Sequence, residues 1–310
     1  MTALVLGGGG FVGRPLVQEL RAAGARVVTT SRAGTVSADH ARCDITDPAS
    51  IRGALETHWP AVVVNLATVA RGTAEAMVAT NVVGTVHLLD AVREVVPSCR
   101  VVLFGSAAEY GDLPPGTASA AESDVCAPRS IYGVTKLTAT RLALAAAARW
   151  NLRVTVVRPF NVVGAGCPTH LLVGAVIERM LAAWGGGEPL TVSVGRTDTQ
   201  RDFIAVDDLA RAVAALIDCA DTTGIVNVCS GHPVGISAVL DAVARVAGRD
   251  VTWRPDPSLV RIDEPAVSVG DPARLAALTG YVPRTSLDQA LAATWAHAYA
   301  TFQTAGKHRS

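Results

Sequence analysis

The chain has 310 residues, half of them hydrophobic, and its 27 Lys and Arg are balanced by 27 Asp and Glu. That length allows one large domain or two modest ones. The charge balance gives no ground for binding nucleic acid or an anionic membrane, and Arg or Asp interrupts every apolar run before the roughly 18 residues a membrane span needs.

Six Cys lack any CxxC pair and seven His lack HxxxH spacing, so neither a disulfide framework nor a metal site is expected. Met1 to Leu6 runs straight into an apolar segment with no basic leader. The expectation is a cytoplasmic protein with reduced thiols.

Ala3-Leu4-Val5-Leu6 reads as a buried strand, followed by Gly7-Gly8-Gly9-Gly10-Phe11-Val12-Gly13 and a helix carrying Leu16, Val17 and Leu20. Glycines at 7, 10 and 13 let backbone N–H groups and a helix start approach a pyrophosphate. Arg26 to Thr30 is a second strand. At its end stand Ser31 and Arg32, where an acid would favour the ribose 2′-hydroxyl of NAD. A hydroxyl and a cation suit a 2′-phosphate instead, so NADPH (or NADP+) is expected in preference to NAD(H). A solvated surface Arg would read the same way.

Cys43-Asp44-Ile45 ends a third strand, with Asp44 placed to accept from an adenine amino group, and Pro48 opens a helix. The continuous run Ala61 to Ala67 suits a strand buried on both faces. A helix follows through Asn81, Leu88 and Val92; Val101 to Phe104 is a fifth strand leading to Ser106, and Val154 to Pro159 a sixth, with Asn161 just beyond. Strict strand–helix alternation predicts an α/β fold: a Rossmann-type doubly wound parallel sheet with a smaller C-terminal substrate-binding lobe. The nucleotide-binding part is expected over 1–163 plus 201–230, the lobe over 164–200 plus 231–310. Helices are expected near 171–183, 206–217, 236–246, 272–278 and 286–302, with Asp207 or Asp208 as the N-cap of the second.

Ser130 to Lys136 concentrates the chemistry. Tyr132 and Lys136 stand four residues apart, so on a helix they share a face, and an ammonium beside a phenol lowers its pKa toward a useful range. The same spacing occurs on helices with no such role.

In order and rough spacing, the glycine turn, Asp44-Ile45, Asn81 to Thr85, Ser106 with Tyr132 to Lys136, Arg158 to Gly164 and Arg201 to Asp208 resemble the extended short-chain dehydrogenase/reductases that act on nucleotide sugars. Residues 269–283 are similar to the tail of the GDP-4-keto-6-deoxymannose reductase and 4,6-dehydratase group. The resemblance implies that Tyr132 is the general acid, that Lys136 lowers its pKa and binds the nicotinamide ribose, and that Ser106 bonds the reacting oxygen. It implies a cofactor site of Gly7, Gly10, Phe11, Val12, Gly13, Ser31, Arg32, Asp44, Ile45, Leu66, Ala67, Asn81, Tyr132, Lys136 and Pro159. Asn161, Arg201 and Arg261 would hold the sugar nucleotide's diphosphate.

Where the dehydratases carry acid–base residues after the serine, this chain has Ala107 and Ala108. Methyl groups move no protons. Glu109 lies one position late to replace them. The expected function is therefore NADPH-dependent reduction of the C4 ketone of a nucleoside-diphosphate-4-keto-6-deoxyhexose. An NAD-dependent 4-epimerase and a non-catalytic NADP(H)-binding redox sensor are the alternatives. Helices near 75–95 and 131–150, apolar on more than one face, suggest a homodimer.

Overall fold

A run of Val, Ile and Leu four to seven residues long has no polar face to leave in water, so it must be covered on both sides. In the computed structural model, which describes residues 1–33, 36–113, 116–185, 189–219, 222–260 and 264–307, such runs form the centre of the molecule. The first half contains β1 (Thr2–Leu6), α1 (Gly13–Ala22), β2 (Arg26–Ser31), β3 (His40–Arg42), α2 (Pro48–His58) and β4 (Val62–Asn65). Next come α3 (Ala74–Met77), a π-helical stretch Val78–Val83, α4 (Gly84–Val95), β5 (Arg100–Phe104), α5 (Ile131–Trp150) and β6 (Arg153–Pro159).

Seven parallel strands pair in the order β10-β6-β5-β4-β1-β2-β3, with β10 at Gly224–Val228. Alternate residues of one strand feed two cores. Leu4 and Leu6 point to α2, α4 and α5, meeting Leu55, Leu88 and Ala143. Ala3 and Val5 point the other way, to Leu16 of α1 and to Leu209 and Val213 of α7 (Val206–Asp218). This is the expected Rossmann-like sheet with helices on both faces. The strand order reverses between β1 and β4, and there the backbone of Gly7 lies against Leu66 and Ala67. Ligands bind at such a switch point, beyond the carboxyl ends of the strands.

The remaining elements are β7 (Asn161–Val163), α6 (Leu172–Ala182), β8 (Leu190–Val194), β9 (Gln200–Ala205), β11 (Pro233–Gly235), α8 (Ile236–Ala247), β12 (Val251–Pro255), β13 (Val267–Ser268), α9 (Ala273–Thr279) and α10 (Leu287–Lys307). They supply a third core, in which Ile177, Val192, Leu240 and Leu291 meet. A small sheet runs β11-β9-β13, with β7 also on β9, and β8 pairs with β12. Two expectations change. β7 and all of β9 but Gln200 fall inside the proposed nucleotide-binding boundaries, yet they hydrogen-bond to each other and not to the large sheet. Neither acid caps α7, whose N-cap is Ala205 without a side-chain bond. Asp208 is instead buried and accepts from Tyr281 Oη at 2.6 Å, Arg284 N at 3.0 Å and Thr285 N at 2.7 Å, tying α7 to the segment beyond α9. Among the described residues no helix is long and apolar enough to cross a membrane.

Candidate active site

The glycine turn is shaped for a close approach. Gly7 adopts φ +78°, open to glycine at little cost, and a Cβ on Gly13 would lie 2.5 Å from the Gly7 carbonyl oxygen. A side chain at 13 would push α1 away from the turn. α1 starts at Gly13 with no side-chain cap at Val12, while Arg14 N already donates to Gly10 O at 3.0 Å and Pro15 carries no N–H. These features fit a dinucleotide's pyrophosphate. Phe11 and Val12 are half-buried beside the turn.

At the end of β2, Ser31 and Arg32 stand where the sequence places them. The Ser31 hydroxyl pairs with His40 Nε2 at 2.9 Å, and Arg42 Nε donates to the Arg32 carbonyl at 3.2 Å, leaving the Arg32 side chain exposed. Asp44 Oδ1 accepts from the amide and hydroxyl of Thr46, which hold its carboxyl below the usual range. Ile45 is buried against Gly84, where an added Cβ would meet both its Cγ atoms at 3.0 Å.

Ser130 caps α5, its Oγ accepting from Gly133 N at 3.0 Å, and so places Tyr132 and Lys136 on successive turns. Lys136 Nζ lies 5.9 Å from the centre of the Tyr132 ring. The Ser106 and Thr68 hydroxyls lie beside the phenol of Tyr132. Ser106 begins a short turn after β5 and accepts from Ala108 N at 3.1 Å. Ser106, Tyr132 and Lys136 thus come together from two elements. The expected lowering of the phenol's pKa is not found. Burial raises Tyr132 above the ordinary value while the bonds to Ser106 and Thr68 oppose it. Burial also lowers Lys136, 6% exposed, to about 8, with Glu109 acting in the opposite direction.

Asn81 is a brace. Its Nδ2 donates to Val69 O at 2.9 Å and Thr135 Oγ1 at 3.0 Å, while its Oδ1 accepts from Val69 N and Thr68 Oγ1. It therefore joins the Leu66–Ala67–Thr68 segment to α5 directly beside Lys136. Thr68 escaped the sequence reading because a lone Thr in a loop carries no pattern.

Toward the lobe, Pro159 ends β6 and Asn161 Nδ2 donates to Asp202 O at 2.8 Å. Arg201 is buried, with Nη1 donating to Gln200 O at 2.7 Å and Nη2 paired with Glu264 at 2.8 Å. Contact of Arg201 with a diphosphate therefore requires Glu264 to give way. Arg261 lies outside the described residues. Arg71 Nη2 donates to His170 O at 2.9 Å, linking the loop after β4 to the segment before α6.

Glu109 is completely buried. It is ion-paired to Arg158 at 2.8 Å, in keeping with its position one residue late to replace the missing acid–base groups. Its signal was present in the sequence as Ser106-Ala107-Ala108-Glu109, the spacing of a capping box. Among the described residues no cluster of His, Cys, Asp and Glu could hold a metal ion.

Residues 3–229 match the NAD dependent epimerase/dehydratase family. The dTDP-6-deoxy-L-talose 4-dehydrogenase (NAD(P)(+)) of Kitasatospora kifunensis is 37% identical over 235 residues, 73% of each chain. The dTDP-4-dehydro-6-deoxy-D-allose reductase of Streptomyces bikiniensis is 31% identical over 303 residues, covering 90% of this chain and 88% of its own. Among solved structures, RMD from Pseudomonas aeruginosa complexed with NADPH superposes with a TM-score of 0.83 at 26% identity, covering 97% of this chain and 99% of that one.

Proposed function

The chain belongs to the NAD dependent epimerase/dehydratase family, and within it we propose that it reduces the C4 ketone of a nucleoside-diphosphate-4-keto-6-deoxyhexose with NADPH. One observation carries this reading: Ser106, Tyr132 and Lys136 converge, while the positions that would add acid–base work at neighbouring carbons hold Ala107 and Ala108, and Glu109 is locked against Arg158. Two relatives support it by name, one a 4-dehydrogenase of a 6-deoxysugar nucleotide and one a reductase of a 4-dehydro-6-deoxysugar nucleotide. These describe oxidation and reduction at the same carbon.

NADPH, when bound, supplies the hydride for the carbonyl carbon. Tyr132 gives its phenolic proton to the carbonyl oxygen. Ser106 Oγ accepts from Ala108 N, and its own hydrogen turns from the phenol of Tyr132 to that oxygen and holds it beside the phenol. Lys136 stabilises the charge left on Tyr132 and on the developing alkoxide. Ser31 and Arg32 offer a hydroxyl and a guanidinium to a 2′-phosphate, and no acid at the end of β2 opposes them. Asp44 takes the adenine amino group. Asn161, and Arg201 once released from Glu264, anchor the diphosphate.

Replacing Tyr132 by Phe removes the proton donor and leaves the ring. Turnover should fall by about 10²–10⁴-fold, with NADPH affinity within a factor of about three of the parent. Undiminished reduction by Tyr132→Phe, followed by NADPH absorbance, contradicts the assignment.

A further inference from the structure

We propose that Glu109 is a positioning residue, tying the strand end that carries Ser106 to the helix that carries Tyr132 and Lys136. The assignment rests on the reading of those three residues given above.

The Glu109 carboxylate, 0% exposed, is held by three elements at once. Oε1 accepts from Ser106 N at 2.9 Å and from Thr140 Oγ1 of α5 at 3.1 Å. Oε2 takes Nε and Nη2 of Arg158 on β6, each at 2.8 Å. Thr140 lies one helical turn beyond Lys136, so one carboxylate fixes the serine's backbone relative to the face that carries the lysine. Two glycines make this contact possible. A Cβ on Gly105 would overlap Glu109 Oε1, and a Cβ on Gly133 would overlap the Ala108 carbonyl oxygen. The turn is gripped from below by the carboxylate and closed against α5 beside Tyr132.

Stability alone does not account for such a pair. Two buried charges add little over apolar side chains of the same volume, because desolvation offsets their attraction, whereas their geometry is strict. Arg158 lies 4.6 Å over the ring of Tyr110, whose hydroxyl donates to Asn227 Oδ1 at 2.7 Å, so the cation is itself held in place. The titratable groups facing Glu109 are Arg158 from β6, Cys126 from the adjoining loop, and Tyr132 and Lys136 from α5. Its negative charge raises both Tyr132 and Lys136. Removing that charge lets the phenol lose its proton at lower pH. The proton donor for ketone reduction then disappears earlier as pH rises.

Glu109→Gln keeps the shape and an acceptor for Ser106 N but not the charge. In steady-state reduction its kcat should fall by about 10–100-fold, as expected when a reacting group is misplaced, with the NADPH Kd within twofold. The basic limb of its pH–rate profile should move to lower pH. Parental kcat together with an unmoved limb overturns the proposal. Should the unpaired Arg158 prevent Glu109→Gln from folding, the neutral pair Glu109→Gln/Arg158→Gln carries the same test and the same two outcomes. If the parent protein reduces no 4-keto sugar, the functional reading fails separately. The ultraviolet tyrosinate titration of Tyr132, taken as the difference from Tyr132→Phe, then decides: a lower midpoint in Glu109→Gln supports the charge's role, and an identical one overturns it.

Discussion

Between about 8, where burial holds Lys136 in the folded protein, and its ordinary 10.5, the unfolded chain carries a proton that the folded one does not. Stability contributed by this lysine therefore rises with pH across that window. Buried thiols act in the opposite direction above 9.0, since Cys43 is raised to about 11 and Cys99 to about 12. Lys136→Met leaves those thiols unchanged. The difference in urea midpoint, parent minus Lys136→Met, should accordingly grow as pH rises from about 8 toward 10, and a constant difference contradicts the burial of a neutral amine. At this scale the sequence was informative about identity and poor about environment. The spacing of Tyr132 and Lys136 was readable as a shared helix face. The direction of the phenol's shift was not, because the burial that raises it, and the Ser106 and Thr68 hydroxyls that oppose it, depend on segments far apart in the chain. Glu109's placement was hidden for the same reason: its partner Arg158 is 49 positions away.

Helix α5 and the turn after β5 act as one device, and Gly133 is where they touch. Alanine is the better helix former by about 1 kcal/mol, so Gly133→Ala would stabilise an isolated α5. In the folded protein its Cβ would overlap the Ala108 carbonyl, and overpacking of that kind costs about 1–3 kcal/mol. The second effect should win: thermal unfolding of Gly133→Ala falls below the parent, and kcat drops as the Ser106 turn shifts. A more stable variant with parental kcat contradicts this account. Elements with strong local signals were legible, among them α5, α2 opening at Pro48, and the glycine turn, whereas the caps on those helices, Ser130 and Asp47, were not read. The paired strands β8 and β12 were not, since each is short and finds its partner about 60 residues away. The acids at the start of α7 invited a cap reading. Asp208 instead serves a segment some 75 residues later, which no local rule reveals.

On the scale of the whole molecule, strand–helix alternation sufficed to foresee the parallel sheet and its crevice, but not that β7 and β9 leave the large sheet to build the lobe's own. The outer faces add a further expectation. Val83, Val134, Leu142 and Trp150, next to or within α4 and α5, are exposed apolar side chains, and covering them favours association. We propose a homodimer through these helices; light scattering should give about twice 32.0 kDa, and a monomer at micromolar concentration contradicts it. The central claim concerns the reaction itself. Purified protein should be offered NADPH with GDP-, dTDP-, UDP- and CDP-linked 4-keto-6-deoxyhexoses, following NADPH absorbance and the product's C4 configuration by NMR. The account predicts that one of these sugars is reduced, with one NADPH consumed per C4 hydroxyl formed and NADPH preferred over NADH. Inversion at C4 without net cofactor consumption, or no consumption with any of the four, would contradict it.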